Sequence, residues 1–168
     1  MTILTASEAT RWGLLGQNKM DVEIPNIYTS IDEAVFDGRR ITSLIIPDSV
    51  TAIGADAFKK NLIEKLLIGG SVVSIGDYAF SGNSLTDVVI PDSVTSIGKY
   101  AFSNNLLTGV TLPAHFKENP PLDAFDLDVR FTYADPVNPE ADSWPELEDY
   151  ETPTTKINSN CRKKNHGW

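Results

Sequence analysis

The chain has 168 residues, with 23 acidic side chains against 14 basic ones and a net charge of −9. That balance argues against the basic footprint of a nucleic-acid surface, so no nucleic-acid partner is expected. The length suits one domain with appendages, no apolar run approaches the roughly 20 residues of a membrane span, and Cys161, the single cysteine, leaves no internal disulfide to form.

Residues 1–23 read as an N-terminal cap. They lack a charged n-region and an apolar h-region, so no secretory signal is expected and the default compartment is the cytoplasm. Thr5-Ala-Ser-Glu8 fits a capping box and Gly16 fits a helix stop, which predicts a short helix over 6–15. Trp12, Leu14 and Leu15 are expected to lie over the first layer of the domain.

From Ile24 a block of 22 residues recurs. Its clearest copies run Ile46-Pro-Asp-Ser-Val50-Thr-Ala-Ile53-Gly54-Ala-Asp-Ala57-Phe58 and Ile90-Pro-Asp-Ser-Val94-Thr-Ser-Ile97-Gly98-Lys-Tyr-Ala101-Phe102. Phe36, Phe58, Phe80 and Phe102 form one column, and Ile31, Ile53, Ile75 and Ile97 another. A fixed period of this size marks a solenoid, each turn stacked on the one before. One strand is expected per turn, at Leu44-Ile45-Ile46, Leu66-Leu67-Ile68, Val88-Val89-Ile90 and Val110-Thr111-Leu112, because these runs are branched and apolar and stop at Pro or Gly. Alternation puts Leu44/Ile46, Leu66/Ile68, Val88/Ile90 and Val110/Leu112 in the core and turns Ile45, Leu67, Val89 and Thr111 outward.

The intervening residues read as turn chemistry. Pro47 and Pro91 end ladder pairing, and the Asp-Ser pairs after them can bond nearby backbone. Gly54, Gly76 and Gly98 are expected to supply positive φ, and the Ala-Phe pairs a short helical or 3₁₀ turn on the outer side. Asn61, Asn83 and Asn105 fall where the chain turns back toward the next strand and read as turn residues too.

The fifth copy begins at Leu112-Pro113 and slips by one residue, so that Phe125 continues the aromatic column. Val129-Arg-Phe131-Thr-Tyr133 reads as a closing strand, ending a solenoid over 24–133. Residues 134–152 then hold seven acidic side chains and no basic one, with three prolines, while 153–168 carry Lys156, Arg162, Lys163 and Lys164. This polar tail has too little apolar content to fold alone. It reads either as a flexible linker with a basic tip or as an arm that orders on a partner or on its own solenoid, with Trp144, Leu147 and Tyr150 as anchors.

Catalytic groupings are missing. His115 and His166 lack metal-type spacing to any cysteine or carboxylate cluster, the acidic stretch around Glu146 offers no rigid pocket to set two carboxyl pKa values apart, and Gly69-Gly70 lacks the Lys and Ser/Thr of a phosphate loop. No enzyme activity, cofactor or metal is expected.

The run Ile-Pro-x-x-Val-Thr-x-Ile-Gly-x-x-Ala-Phe followed by Asn-x-Leu-x-x-Val, carried from residue 24 to about 125, resembles the BspA-like class of leucine-rich repeats. The resemblance implies a strand-dominated α/β leucine-rich-repeat solenoid with a parallel ladder, and a role in binding macromolecules at a cell surface or virion rather than in chemistry. On that reading the outer strand face, with Ser43, Ile45, Lys65, Leu67, Asp87, Val89 and Thr111, meets a protein partner, and Trp144 and Tyr150 add contacts from the tail; alternatively the tail itself covers the apolar stripe. Two functions stay open: a protein-interaction or adhesion module, and a structural subunit of a larger assembly whose C-terminal arm packs on neighbours.

Overall fold

The structure, a computed structural model, describes residues 2–11, 13–14 and 21–134. Trp12, Leu15, the expected helix stop Gly16 and the tail from 135, with Trp144, Leu147 and Tyr150, lie outside the described residues.

Each of the four turns from residue 21 to residue 97 contributes two strands, not the single one expected, and the fifth contributes one, with short 3₁₀ helices at Ala114–Phe116 and Leu122–Ala124 in place of the second. The longer strands are β2 (Asp21–Glu23), β4 (Ser43–Ile46), β6 (Lys65–Ile68), β8 (Asp87–Val89), β10 (Gly109–Leu112) and β11 (Arg130–Tyr133). Between them come β1 (Ile3–Leu4), β3 (Ser30–Ile31), β5 (Ala52–Ile53), β7 (Ser74–Ile75) and β9 (Ser96–Ile97), each two residues long. The short strands form one parallel sheet in the order β1-β3-β5-β7-β9. The long strands form two parallel sheets, β2-β4-β6 and β8-β10-β11. The register from β2 to β6 steps by one repeat, pairing Val22 with Leu44 and Leu44 with Leu66.

The core is the repeat seen end-on. Phe36, Phe58, Phe80 and Phe102 have no exposed surface, and Ile24, Ile46 and Ile90 and Tyr28, Val50, Val72 and Val94 lie beside them, all buried. Ring centroids along the aromatic column stand 5.1 to 5.3 Å apart and close to parallel, from Phe36 through Phe58, Phe80 and Phe102 to Phe125. Phe131 ends the stack edge-on against Phe125 at 5.4 Å. Leu66 departs from expectation: it is half-buried where Leu44, Val88 and Val110 are fully enclosed, and it sits on β6, beside which the long-strand ladder is interrupted.

The Ala-Phe segment is a series of hydrogen-bonded turns lying across the core rather than a helix on the outer side. Its backbone forms a third ladder. Asp56, Phe58 and Lys60 donate their N–H groups to the carbonyls of Asp77, Ala79 and Ser81 one turn further on, at 2.8 to 2.9 Å. All of these donors point the same way along the solenoid. The left-handed residues are not the glycines expected. Ala34, Asp56, Tyr78 and Tyr100 hold φ between 54° and 58°, one per turn, and Gly38, Lys60, Gly82 and Asn104 hold positive φ four residues later, from 53° to 71°. Gly76 has ordinary φ but lies so near the previous turn that a Cβ would stand 2.6 Å from the Ala55 nitrogen. Its missing side chain serves close approach between turns.

Asn61, Asn83 and Asn105 do turn work and more. The Asn83 amide donates to the Phe58 and Phe80 carbonyls at 3.0 and 2.9 Å, and its oxygen accepts from the Ile63 N–H at 3.0 Å. Asn61 and Asn105 repeat the pattern. Each side chain thus satisfies buried backbone in two successive turns, groups that would otherwise be desolvated without partners.

At the N-terminal end α1 (Ala6–Arg11) is shorter than expected. The Thr5 hydroxyl accepts from the Glu8 N–H at 3.3 Å, as the capping box requires. The chain leaves the helix through Gly13, with φ +67°. Glu8 also receives the buried Tyr28 hydroxyl at 3.1 Å, tying the helix to the first turn.

Candidate functional site

The long strands present an outer face because their period of two puts alternate side chains inside and outside. Along β4 the core takes Leu44 and Ile46 while Ser43 and Ile45 face out. One outward column runs Glu23, Ile45, Leu67 in paired register, and Val89, Thr111, Thr132 in the second sheet. The other runs Asp21, Ser43, Lys65 and then Asp87, Gly109, Arg130.

Ile45 is 39% exposed, Leu67 61% and Val89 66%. Like Leu62, Val73 and Leu106 elsewhere on the repeat, three branched side chains at successive repeat positions are thus left to water. Lys65 and Asp87 flank them and are exposed, while Ser43 and Thr111 are half-buried. The Thr111 and Thr132 hydroxyls lie 3.1 Å apart and close the polar end of the column. The interruption between β6 and β8 falls under this stripe, separating Leu67 from Val89. At the opposite end the face opens into a groove of about 790 Å³ lined by Asp21, Glu23, Pro25, Asn26, Ser43 and Ile45.

A second exposed feature was not anticipated. Tyr78 and Tyr100 stack at 5.1 Å on the turn side, 37% and 47% exposed. Lys59 sits 4.7 Å over the Tyr78 ring and is ion-paired to Asp56. The Asp56 hydrogen bond, first, holds the Lys59 amine above its ordinary pKa. The signal lay in the 22-residue spacing of the two tyrosines, hidden because the preceding copies hold Ala34 and Asp56 there.

His115 is exposed, places Nε2 2.8 Å from the Val94 carbonyl and tilts its ring over Phe116. This is a surface position in the end repeat. Among the described residues no three His, Cys, Asp or Glu side chains gather as metal ligands, and no helix is long and apolar enough to cross a membrane.

Stacked turns, parallel strands and a buried aromatic column define a leucine-rich-repeat solenoid. A family model described as "BspA type Leucine rich repeat region (6 copies)" matches residues 16–125, well over half of the chain, and the protein belongs to that family. Among solved structures it is similar to a leucine rich cell surface protein from Faecalibacterium prausnitzii, with 22% identity and a TM-score of 0.57 over 71% of this chain and 33% of that one. It is also similar to the pneumococcal vaccine antigen PcpA, with 22% identity and a TM-score of 0.52 over 70% of this chain and 31% of that one. The chain spans about a third of the length of each, and at this identity the likeness speaks for the fold. No curated protein matches the sequence.

Proposed function

We propose that the protein is a non-enzymatic binding module that captures a protein partner on its outer strand face. The observation that carries this is the exposed stripe of Ile45, Leu67 and Val89. Apolar side chains exposed in line along the outer strands, and rimmed by polar residues, are the kind of patch that marks an interaction site. Ser43, Lys65, Asp87 and Thr111 border the stripe and supply the polar rim that fixes orientation. The family is generally one of binding scaffolds, and one structural neighbour is a cell surface protein, which favours adhesion over an internal housekeeping contact. Trp144 and Tyr150 belong to this proposal as additional contacts from the tail.

The test is capture by the intact chain against three variants. Leu67→Asp and Val89→Asp place a carboxylate in the stripe and are expected to abolish capture, whereas Tyr100→Ala, on the turn side, is expected to retain it. A chain ending at Tyr133 measures what the tail adds. Retention of the same partner at the same affinity by both stripe variants would remove the strand face from consideration.

A further inference from the structure

The two ends of the solenoid are halves of one turn. At the first layer the described residues supply a short strand, β1, beside β3, and the helix α1. They place no strand along the outer edge of β2, where the groove lined by Asp21, Glu23 and Ile45 lies. At the last layer the arrangement is reversed. A long strand, β11, extends the outer face, and the short-strand sheet has already ended at β9.

Both edges, unpaired among the described residues, carry aligned backbone groups. Ile24 donates its N–H to the Ile45 carbonyl at 3.0 Å. Neighbouring residues of a strand point their N–H and C=O groups to opposite sides. Glu23 and Asp21 therefore direct theirs away from β4. At the other end Ala134 donates to the Leu112 carbonyl at 2.9 Å and Arg130 to the Thr108 carbonyl at 3.3 Å. By the same alternation Phe131 and Tyr133 direct theirs away from β10. Unpaired rows of this kind are templates for another strand.

The charges match in the register that the solenoid already uses. Asp21 and Arg130 stand in the same outward column at opposite ends of the molecule. Continuing the column across two molecules would set Arg130 of one copy beside Asp21 of the next, and Thr132 beside Glu23. Opposite charges directly across a strand pair stabilise it and like charges oppose it. Phe131 and Tyr133, both only partly buried, would gain cover in the same step.

We infer that the protein associates with itself head to tail, β11 of one copy adding in parallel to the free edge of β2 in the next. Such a contact is heterologous, since two different surfaces meet, and it continues into an open chain or a ring rather than stopping at a symmetric pair. It uses the ends of the solenoid and leaves Leu67 free, so it stands or falls apart from the proposed capture on the strand face.

The experiment is light scattering of the full chain over a dilution series at low salt, with far-UV circular dichroism to check folding. Wild type is expected to gain mass with concentration. Asp21→Arg alone and Arg130→Asp alone each put like charges at the junction and are expected to raise the half-association concentration roughly tenfold. An equimolar mixture of the two variants restores opposite charges at every mixed junction and is expected to recover wild-type association. Glu23→Pro removes an N–H that faces outward, costs β2 no bond to β4, and is expected to abolish association. A monomer at all concentrations overturns the inference. So does association indifferent to Glu23→Pro, a mixture no better than its components, or tighter association on loss of either charge, which would make Asp21 and Arg130 guards against edge pairing.

Discussion

The turn side and the strand side of this solenoid are built from the same 22-residue period and use it in opposite ways. On the turn side each layer repeats its residue: phenylalanine over phenylalanine, asparagine over asparagine, all but the last asparagine buried. On the outer strand side no column keeps its residue. Asp21, Ser43, Lys65, Asp87, Gly109 and Arg130 share one position in successive layers. Sameness is what stacking demands, since each layer must fit the one below. Variation is tolerated where the only neighbour is water, and there a partner can be told from a bystander.

Mutation can break this contrast or sharpen it. The largest loss is expected from Phe80→Ala, which removes the ring between Phe58 and Phe102 and leaves a cavity at the centre of the stack, costing about 3–5 kcal/mol. Urea titration followed by far-UV circular dichroism measures it, and a loss below about 1 kcal/mol, the size of an ordinary surface change, would show that the column does not hold the layers together. Asn83→Ala comes next. It strands the Ile63 N–H and takes a donor from the Phe58 and Phe80 carbonyls, for a cost of about 2–3 kcal/mol. Asn83→Asp keeps the acceptor but loses both donors, so it should fail to rescue; full rescue would mean that the amide donors are dispensable.

Gly76→Ala and Gly82→Ala separate two uses of glycine. At Gly76 the new methyl meets the backbone of the turn below, and overpacking of that kind costs about 1–3 kcal/mol. At Gly82, with φ +71° and only ordinary contacts around it, the cost is the left-handed conformation alone, about 1 kcal/mol. Thermal melts of the pair test the order, and the reverse ranking would return φ as the reason for the Gly54, Gly76 and Gly98 column. The smallest stability change belongs to Leu67→Asp on the outer face, within about 0.5 kcal/mol of wild type. A melting temperature near wild type together with lost capture is the result that separates binding from folding. A variant that unfolds would move Leu67 to the core side of the comparison.

These contrasts also explain what could be read from the sequence. The aromatic column, the apolar columns and the outward alternation of Ile45, Leu67 and Val89 were legible because identical chemistry recurs at a fixed interval. The second strand of each of the first four turns was not. Ser30–Ile31, Ala52–Ile53 and Ser74–Ile75 are two residues long, below the run of four to eight that signals a strand, and stacking alone makes them pair. The left-handed positions were misassigned because residue type points to glycine, whereas Ala34, Asp56, Tyr78 and Tyr100 are held there by a ladder bond from the N–H and a turn bond to the carbonyl from the residue three on. For the candidate face, the apolar stripe was foreseeable from alternation. The groove beside β2 was not, because Asp21 and Glu23 precede the recognisable repeat.

The ladder on the turn side has an electrical consequence. Strand ladders send N–H groups in both directions and their dipoles largely cancel, but here the turn donors of every layer aim toward the C-terminal end. Their peptide dipoles add along the long axis as they do in a helix, leaving partial positive charge where the last donors emerge. An anion belongs at that pole, and the Asp126 carboxylate is there, accepting from the Asn104 and Asn105 N–H groups at 3.1 and 3.4 Å. The turn ladder therefore has its own polarity, set against the N–H groups of Gly54, Leu62 and Glu64, which aim toward the N-terminal end, and a further turn would carry the same partial charge to a new tip rather than enlarge it.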